Sequence, residues 1–176
     1  VSAIAEEAHG GTLTIKGGML ALPTGLAEGD LLIEDGRISE IGEIPSERAK
    51  GEIIDASNLL VMPGVIDPQV HFREPGFVHK EDIGSGARAC AAGGVTAFLE
   101  MPNTNPPTTT EAAIAWKVAR AIETSTVDFG FFIGATRTNI DVQNAVGGVP
   151  GIKIFMGSST GTLLVADRGD LERIFS

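Results

Sequence analysis

From Leu60 onward the sequence alternates apolar strand-like runs with helix-patterned segments four times over, and this alternation limits the fold more than any other feature. The apolar run Leu60 to Ile66 leads into Asp67-Pro68-Gln69-Val70-His71-Phe72, and later strands are predicted at Val95 to Met101, Val127 to Ala135 and Ile152 to Met156. Lys80 to Ala92 carries Ile83, Ala87, Cys90 and Ala91 at helical spacing and stops at Gly93-Gly94, a stop signal because glycine adopts the backbone that ends helices. Thr108 with Glu111 predicts a capping box opening a helix to about Glu123, with Ile114, Val118, Ala121 and Ile122 on one face. Asn139 to Val146 predicts a short helix, and Asp170 to Phe175 the start of another. Near-continuous apolar strands joined by helices predict an α/β fold whose parallel sheet is buried on both faces. Such a sheet closes either as an open, doubly wound layer or as a (β/α)8 barrel, of which these units make half. No Gly-x-Gly-x-x-Gly or Walker loop follows the first strand. Gly157-Ser158-Ser159-Thr160-Gly161 also lacks the Gly-Lys-[Ser/Thr] signature, so it is expected to be a plain connecting loop.

The preceding residues have a different texture. Residues 1–11 predict a mobile lead-in. Strand-like runs follow at Leu13 to Lys16 and Leu31 to Glu34, the second joined through Asp35-Gly36 to Arg37 to Ile41. Asp-Gly between alternating segments is a strong hairpin signal, since both turn residues must take positive φ. Residues 1–58 thus predict a small β module, and residues 59–176 the repeated β/α part.

Composition removes several classes of function. Lys and Arg number 13 against 23 Asp and Glu, a net charge of −10, which opposes nucleic acid and anionic membrane surfaces. The apolar runs are far shorter than the ~20 residues of a membrane span. Cys90 is the sole cysteine, so neither an internal disulfide nor a cysteine-based zinc site is available. Glu6 and Glu7 stand where a secretory leader would be basic. A cytoplasmic location is expected.

Alternation along the first strand of the β/α part predicts Asp67, Gln69, His71 and Arg73 on one face and Pro68, Val70 and Phe72 on the other. A polar row at the carboxyl end of a parallel strand is where such folds build active sites. The stretch Pro63-Gly64-Val65-Ile66-Asp67-Pro68-Gln69-Val70-His71-Phe72-Arg73-Glu74-Pro75-Gly76 resembles the first signature of the dihydroorotases, in the cyclic-amide branch of the amidohydrolase superfamily. The likeness continues through Gly93-Gly94-Val95-Thr96, Met101-Pro102-Asn103-Thr104 and Gly151-Ile152-Lys153-Ile154-Phe155-Met156.

The resemblance implies the N-terminal part of a (β/α)8 barrel (residues 59–176) beside part of a small β-sandwich (residues 1–58). It implies interconversion of dihydroorotate and N-carbamoyl-aspartate in pyrimidine biosynthesis, with one or two zinc ions activating water and polarising the ring carbonyl. Within the family's Asp-x-His-x-His, His71 matches the second metal ligand, while Gln69 stands where the first belongs. A neutral amide is a weaker zinc donor than imidazole. Arg73 matches the residue holding the substrate carboxylate, a role suited to the planar guanidinium fork, and Asn103 a second substrate-orienting residue. Lys153 matches the lysine that members carboxylate to bridge two metals. His79 is expected to face solvent and Trp116 to pack. The catalytic Asp and the remaining histidines are expected on strands beyond Ser176, so these 176 residues are expected to be inactive by themselves. The resemblance also implies a small-molecule substrate and a homo-oligomer, or a complex with aspartate transcarbamoylase. The rival readings are an allantoinase or hydantoinase-type enzyme and a non-catalytic dihydroorotase-like subunit.

Overall fold

A computed structural model describes residues 11–141, 146–157 and 163–176. Residues 1–10 of the expected lead-in, with His9, half of the helix expected over residues 139–146 and most of the loop 157–161 lie outside the described residues. The chain divides into two compact units, one ending at Pro63 and the other running from Gly64 to Ser176.

In the first unit β1 (Thr12–Leu22) and β2 (Gly25–Glu34) form a long antiparallel hairpin, and β3 (Arg37–Gly42) extends it. Asp35 (φ 51°) and Gly36 (φ 72°) make the turn between β2 and β3, with Glu34 opposite Arg37. Both residues lie in the left-handed region, so the turn twist matches that of the paired strands, as Asp-Gly predicts. Two short strands, β4 (Glu52–Asp55) and β5 (Leu60–Val61), run parallel to β1 along successive stretches of it. β4 was invisible in the sequence because its residues do not alternate in polarity, and β5 was read as the start of the apolar run to Ile66. Leu60 and Val61 therefore end this unit rather than start the β/α part. Pro63, which has no N–H to donate to a ladder, separates them from the next strand.

In the second unit β6 (Val65–Val70), β7 (Val95–Glu100) and β8 (Asp128–Phe131) form a parallel sheet in that order, and β9 (Ile133–Gly134) pairs with β10 (Ile152–Lys153), also in parallel. The single strand predicted over Val127 to Ala135 is broken at Phe132. Its N–H bonds Glu100 O at 3.0 Å, whereas Ile133 N–H turns to Gly151 O at 3.4 Å, so the chain changes partner there. The described strands are two parallel sheets, not a closed barrel. Val65 and Ile66 are exposed; β6 is an edge strand, and burial on both faces fails at this end of the sheet.

Helix α1 (Ile83–Ala92) starts at Asp82, whose carboxylate takes Ser85 N–H while the Ser85 side chain returns to the Asp82 N–H, and it ends at Gly93. This capping box satisfies donors that a helix start leaves free. Helix α2 (Glu111–Thr124) is capped by Thr110, not Thr108, which is buried with its hydroxyl 3.3 Å from that of Thr104. Helix α3 (Arg168–Phe175) is capped by Asp167. The core joins Phe72, Ile83, Ala87, Phe98, Ile114, Ala121, Phe131 and Ile133. Phe72 stacks edge-on to Phe98 at 4.7 Å, and Gly86 on α1 makes room for it, since a Cβ there would sit 2.6 Å from the Phe72 ring. The buried stripe of α2 is Ile114, Lys117 and Ala121, and the predicted Ile122 and Trp116 are instead exposed. Ile122 sits one residue past that stripe, which turns it outward. Among the described residues no helix is long and apolar enough to cross a membrane.

Candidate active site

The strand carrying the predicted polar row ends sooner than alternation requires. Pairing of β6 with β7 is irregular between Asp67 and Val70 and stops there. Asp67 Oδ1 accepts the Gln69 N–H at 3.0 Å, a local turn, and Gln69 is exposed. Arg73 takes φ 67°, a left-handed conformation that resets the direction of every side chain after it. Asp67, Gln69, His71 and Arg73 therefore do not share a strand face.

Two of the predicted residues nevertheless meet directly. His71 follows β6 and Asn103 follows β7, and the His71 ring donates from Nδ1 to Asn103 Oδ1 at 2.7 Å. A side-chain carbonyl only accepts, so the Nδ1 proton is committed and Nε2 keeps its lone pair. The two loops are joined again where Asn105 N–H donates to Pro75 O at 3.1 Å. Gly76 (φ 93°) permits this approach, because a Cβ there would lie 2.1 Å from Asn105 O. Burial drives the His71 pKa below its ordinary value, against the Asn103 hydrogen bond, and the cations of Arg73, Lys153 and Lys117 lower it further. Arg73 and Lys153 thus lie within electrostatic reach of the same imidazole. Lys153, at the end of β10, has its Nζ 5.3 Å from the Phe155 ring centroid. His79 is exposed.

Sequence reasoning missed four charged residues that support this group. Glu100 and Lys117 form a fully buried pair at 2.6 Å, and buried Glu74 binds Arg120 at 2.9 Å. The signal was present: Glu100 interrupts an apolar strand, and Lys117 stands three residues after Ile114, within the buried stripe.

A dihydroorotase-like family model matches residues 58–141. The chain is 40% identical over 151 residues to an allantoinase of Deinococcus radiodurans, covering 84% of this chain and 33% of that protein. It is 49% identical over 100 residues to a dihydroorotase of Caldicellulosiruptor saccharolyticus, covering 56% of this chain and 23% of that protein. Among solved structures, the L-hydantoinase (dihydropyrimidinase) from Arthrobacter aurescens superimposes with a TM-score of 0.83 at 30% identity, over 93% of this chain and 37% of that one. The class these relatives share is the amidohydrolase superfamily. Within it, the dihydroorotase-like model is the one that residues 58–141 match. The chain spans about a third of the length of the allantoinases it matches.

The residues on hand do not compose the metal centre that such a family implies. His71 offers one imidazole lone pair, Gln69 only a neutral amide, and Lys153 and Arg73 are cations that repel a divalent ion. Among the described residues no three His, Cys, Asp or Glu side chains are grouped to hold one.

Proposed function

We propose that the chain is the N-terminal part of a dihydroorotase-type cyclic amidohydrolase interconverting dihydroorotate and N-carbamoyl-aspartate in pyrimidine biosynthesis. In this reading residues 64–176 are the first half of a (β/α)8 barrel and the residues before them part of a β-sandwich. The exposed Ile38, Ile41 and Ile54, which the register places on one face of the first unit's sheet, suit a sheet with a second layer to receive. The observation that carries the proposal is the hydrogen bond between His71 and Asn103, with the charges of Arg73 and Lys153 near enough to lower the His71 pKa. A cationic group beside an amide matches an acidic ring better than a neutral one. Arg73 would hold the substrate carboxylate through its planar fork, and the Asn103 Nδ2, left free by the bond from His71 to Oδ1, would donate to the ring. Fixing the ring in this way lowers the entropic part of the barrier. Zinc, one or two ions, enters only with ligands additional to those described. His71 Nε2 would be one ligand, and Lys153 would serve only if carboxylated. These residues alone are therefore expected to lack turnover.

Allantoinases match the chain over more residues than the dihydroorotases of higher identity, so an allantoinase or hydantoinase activity is the second reading. Calorimetric titration with dihydroorotate, allantoin and dihydrouracil separates the two. Dihydroorotate is expected to bind tightest, and Arg73→Lys to weaken it about tenfold or more, because an ammonium keeps the charge and loses the fork. Preference for allantoin or dihydrouracil, or indifference to Arg73→Lys, overturns the dihydroorotase reading.

A further inference from the structure

Helix α2 sends two cations, Lys117 and Arg120, to carboxylates on the elements that flank Arg73. Glu100, at the end of β7, is fully buried and accepts from Lys117 Nζ at 2.6 Å. Glu100 is the register partner of Val70 on β6, and the neighbouring Met101 N–H donates to Val70 O at 3.0 Å. Buried Glu74 accepts the Ile83 N–H at the start of α1 at 2.8 Å and Arg120 Nε at 2.9 Å. Lys117 and Arg120 are three residues apart on α2, hence neighbours on its surface. Arg120 therefore reaches Glu74, the neighbour of Arg73, directly, and Lys117 holds the end of β7 that pairs with Val70, three residues before Arg73. Arg73 itself sits at φ 67°, a conformation that L-residues hold only where their surroundings impose it. Stability alone does not account for the Glu100–Lys117 pair. Well-packed apolar residues in place of a buried pair are often as stable or more so, and one oxygen of this pair, Glu100 Oε1, has no hydrogen-bond partner.

We propose that Lys117 and Arg120 are positioning residues for His71 and Arg73, acting through Glu100 at Val70 and through Glu74 to fix the backbone of residues 70–74. The part concerning substrate rests on Arg73 as the carboxylate-binding residue; the part concerning the backbone does not.

The test uses the full chain with two variants. The double variant Glu100→Leu/Lys117→Met removes the pair without leaving a buried charge. Arg120→Met acts at a partly exposed side chain and spares the core. Amide hydrogen exchange resolved by segment is read beside dihydroorotate affinity. For the double variant, exchange over residues 71–77 is expected to rise about tenfold while that of β8 stays at the wild-type rate, and dihydroorotate affinity to fall about tenfold. Arg120→Met is expected to do the same, with the Ile83 amide exposed as well, and Arg120→Lys to restore only part of the loss. Wild-type exchange over residues 71–77 in both variants overturns the proposal, as does a rise spread evenly over the unit. If the wild-type chain binds no dihydroorotate, the function reading fails and exchange alone decides the positioning role. If the double variant does not fold, Arg120→Met decides by the same criteria.

Discussion

The chain carries two lysine–carboxylate pairs at the same separation of 2.6 Å, Lys16–Asp30 in the first unit and Lys117–Glu100 in the second. Burial pushes the Asp30 carboxyl up, but Lys16 and the backbone N–H groups of Gly17 and Ile44 together hold it below its ordinary value. Burial pushes Glu100 up to about 7, although Lys117 and the Phe72 N–H pull the other way. Lys117 is driven down by burial against the attraction of Glu100. The separation of a pair therefore does not set its charge state. What decides is the number of donors satisfying the carboxylate, weighed against the water it has lost. Asp30 fastens the segment at Ile44 to the β1–β2 hairpin with every bond made, whereas Glu100 is held incompletely at a costly place beside the candidate site.

The largest expected effect follows from removing one partner of the fully buried pair. Lys117→Met should destabilise the second unit by about 3–5 kcal/mol in urea unfolding, and adding Glu100→Leu should recover most of it. A single variant within 1 kcal/mol of wild type (roughly the worth of an exposed pair) would mean the pair is not desolvated. The pH dependence should separate the two carboxylates by sign. Folded Glu100 keeps a proton that the unfolded chain releases near 4.5, so its contribution is full below that pH and is lost as pH rises through about 7. Asp30 behaves oppositely: its contribution is present above 3.8 and lost as pH falls below that. Urea unfolding between pH 4.5 and 7.5 should show wild type losing on the order of 2 kcal/mol relative to the Glu100→Leu/Lys117→Met variant. A constant difference would refute the raised Glu100 pKa.

Much of this architecture was legible from local chemistry. The Asp35-Gly36 turn, the Gly93-Gly94 stop and the order of strands and helices in the second unit all depend on residues near one another in sequence. So did the candidates His71, Arg73, Asn103 and Lys153, which were marked by their motifs. Their arrangement was not legible. Strict alternation put Arg73 beside His71 on a strand, but the strand ends at Val70 and Arg73 turns left-handed. The support from Glu74, Glu100, Lys117 and Arg120 depends on packing between α2 and β7, which periodicity weighs by hydrophobicity. A buried lysine is counted there as a surface residue. β4 escaped and β5 was joined to the wrong unit for a similar reason, since a short strand is defined by its partner, here β1.

The smaller predictions lie in the first unit. Asp30→Asn keeps the shape but gives up the charge that organises Lys16, Gly17 and Ile44, and it should cost about 2 kcal/mol in urea unfolding. Lys16→Met tests the comparison most directly, because it is the chemical twin of Lys117→Met. Lys16 is 31% exposed where Lys117 is 1%, and Asp30 retains two backbone donors without it. The orphaned carboxylate therefore stays satisfied and partly in reach of water, and the loss should be about 1 kcal/mol. Equal penalties for the two substitutions would show that pair separation, not donor count and burial, governs both sites.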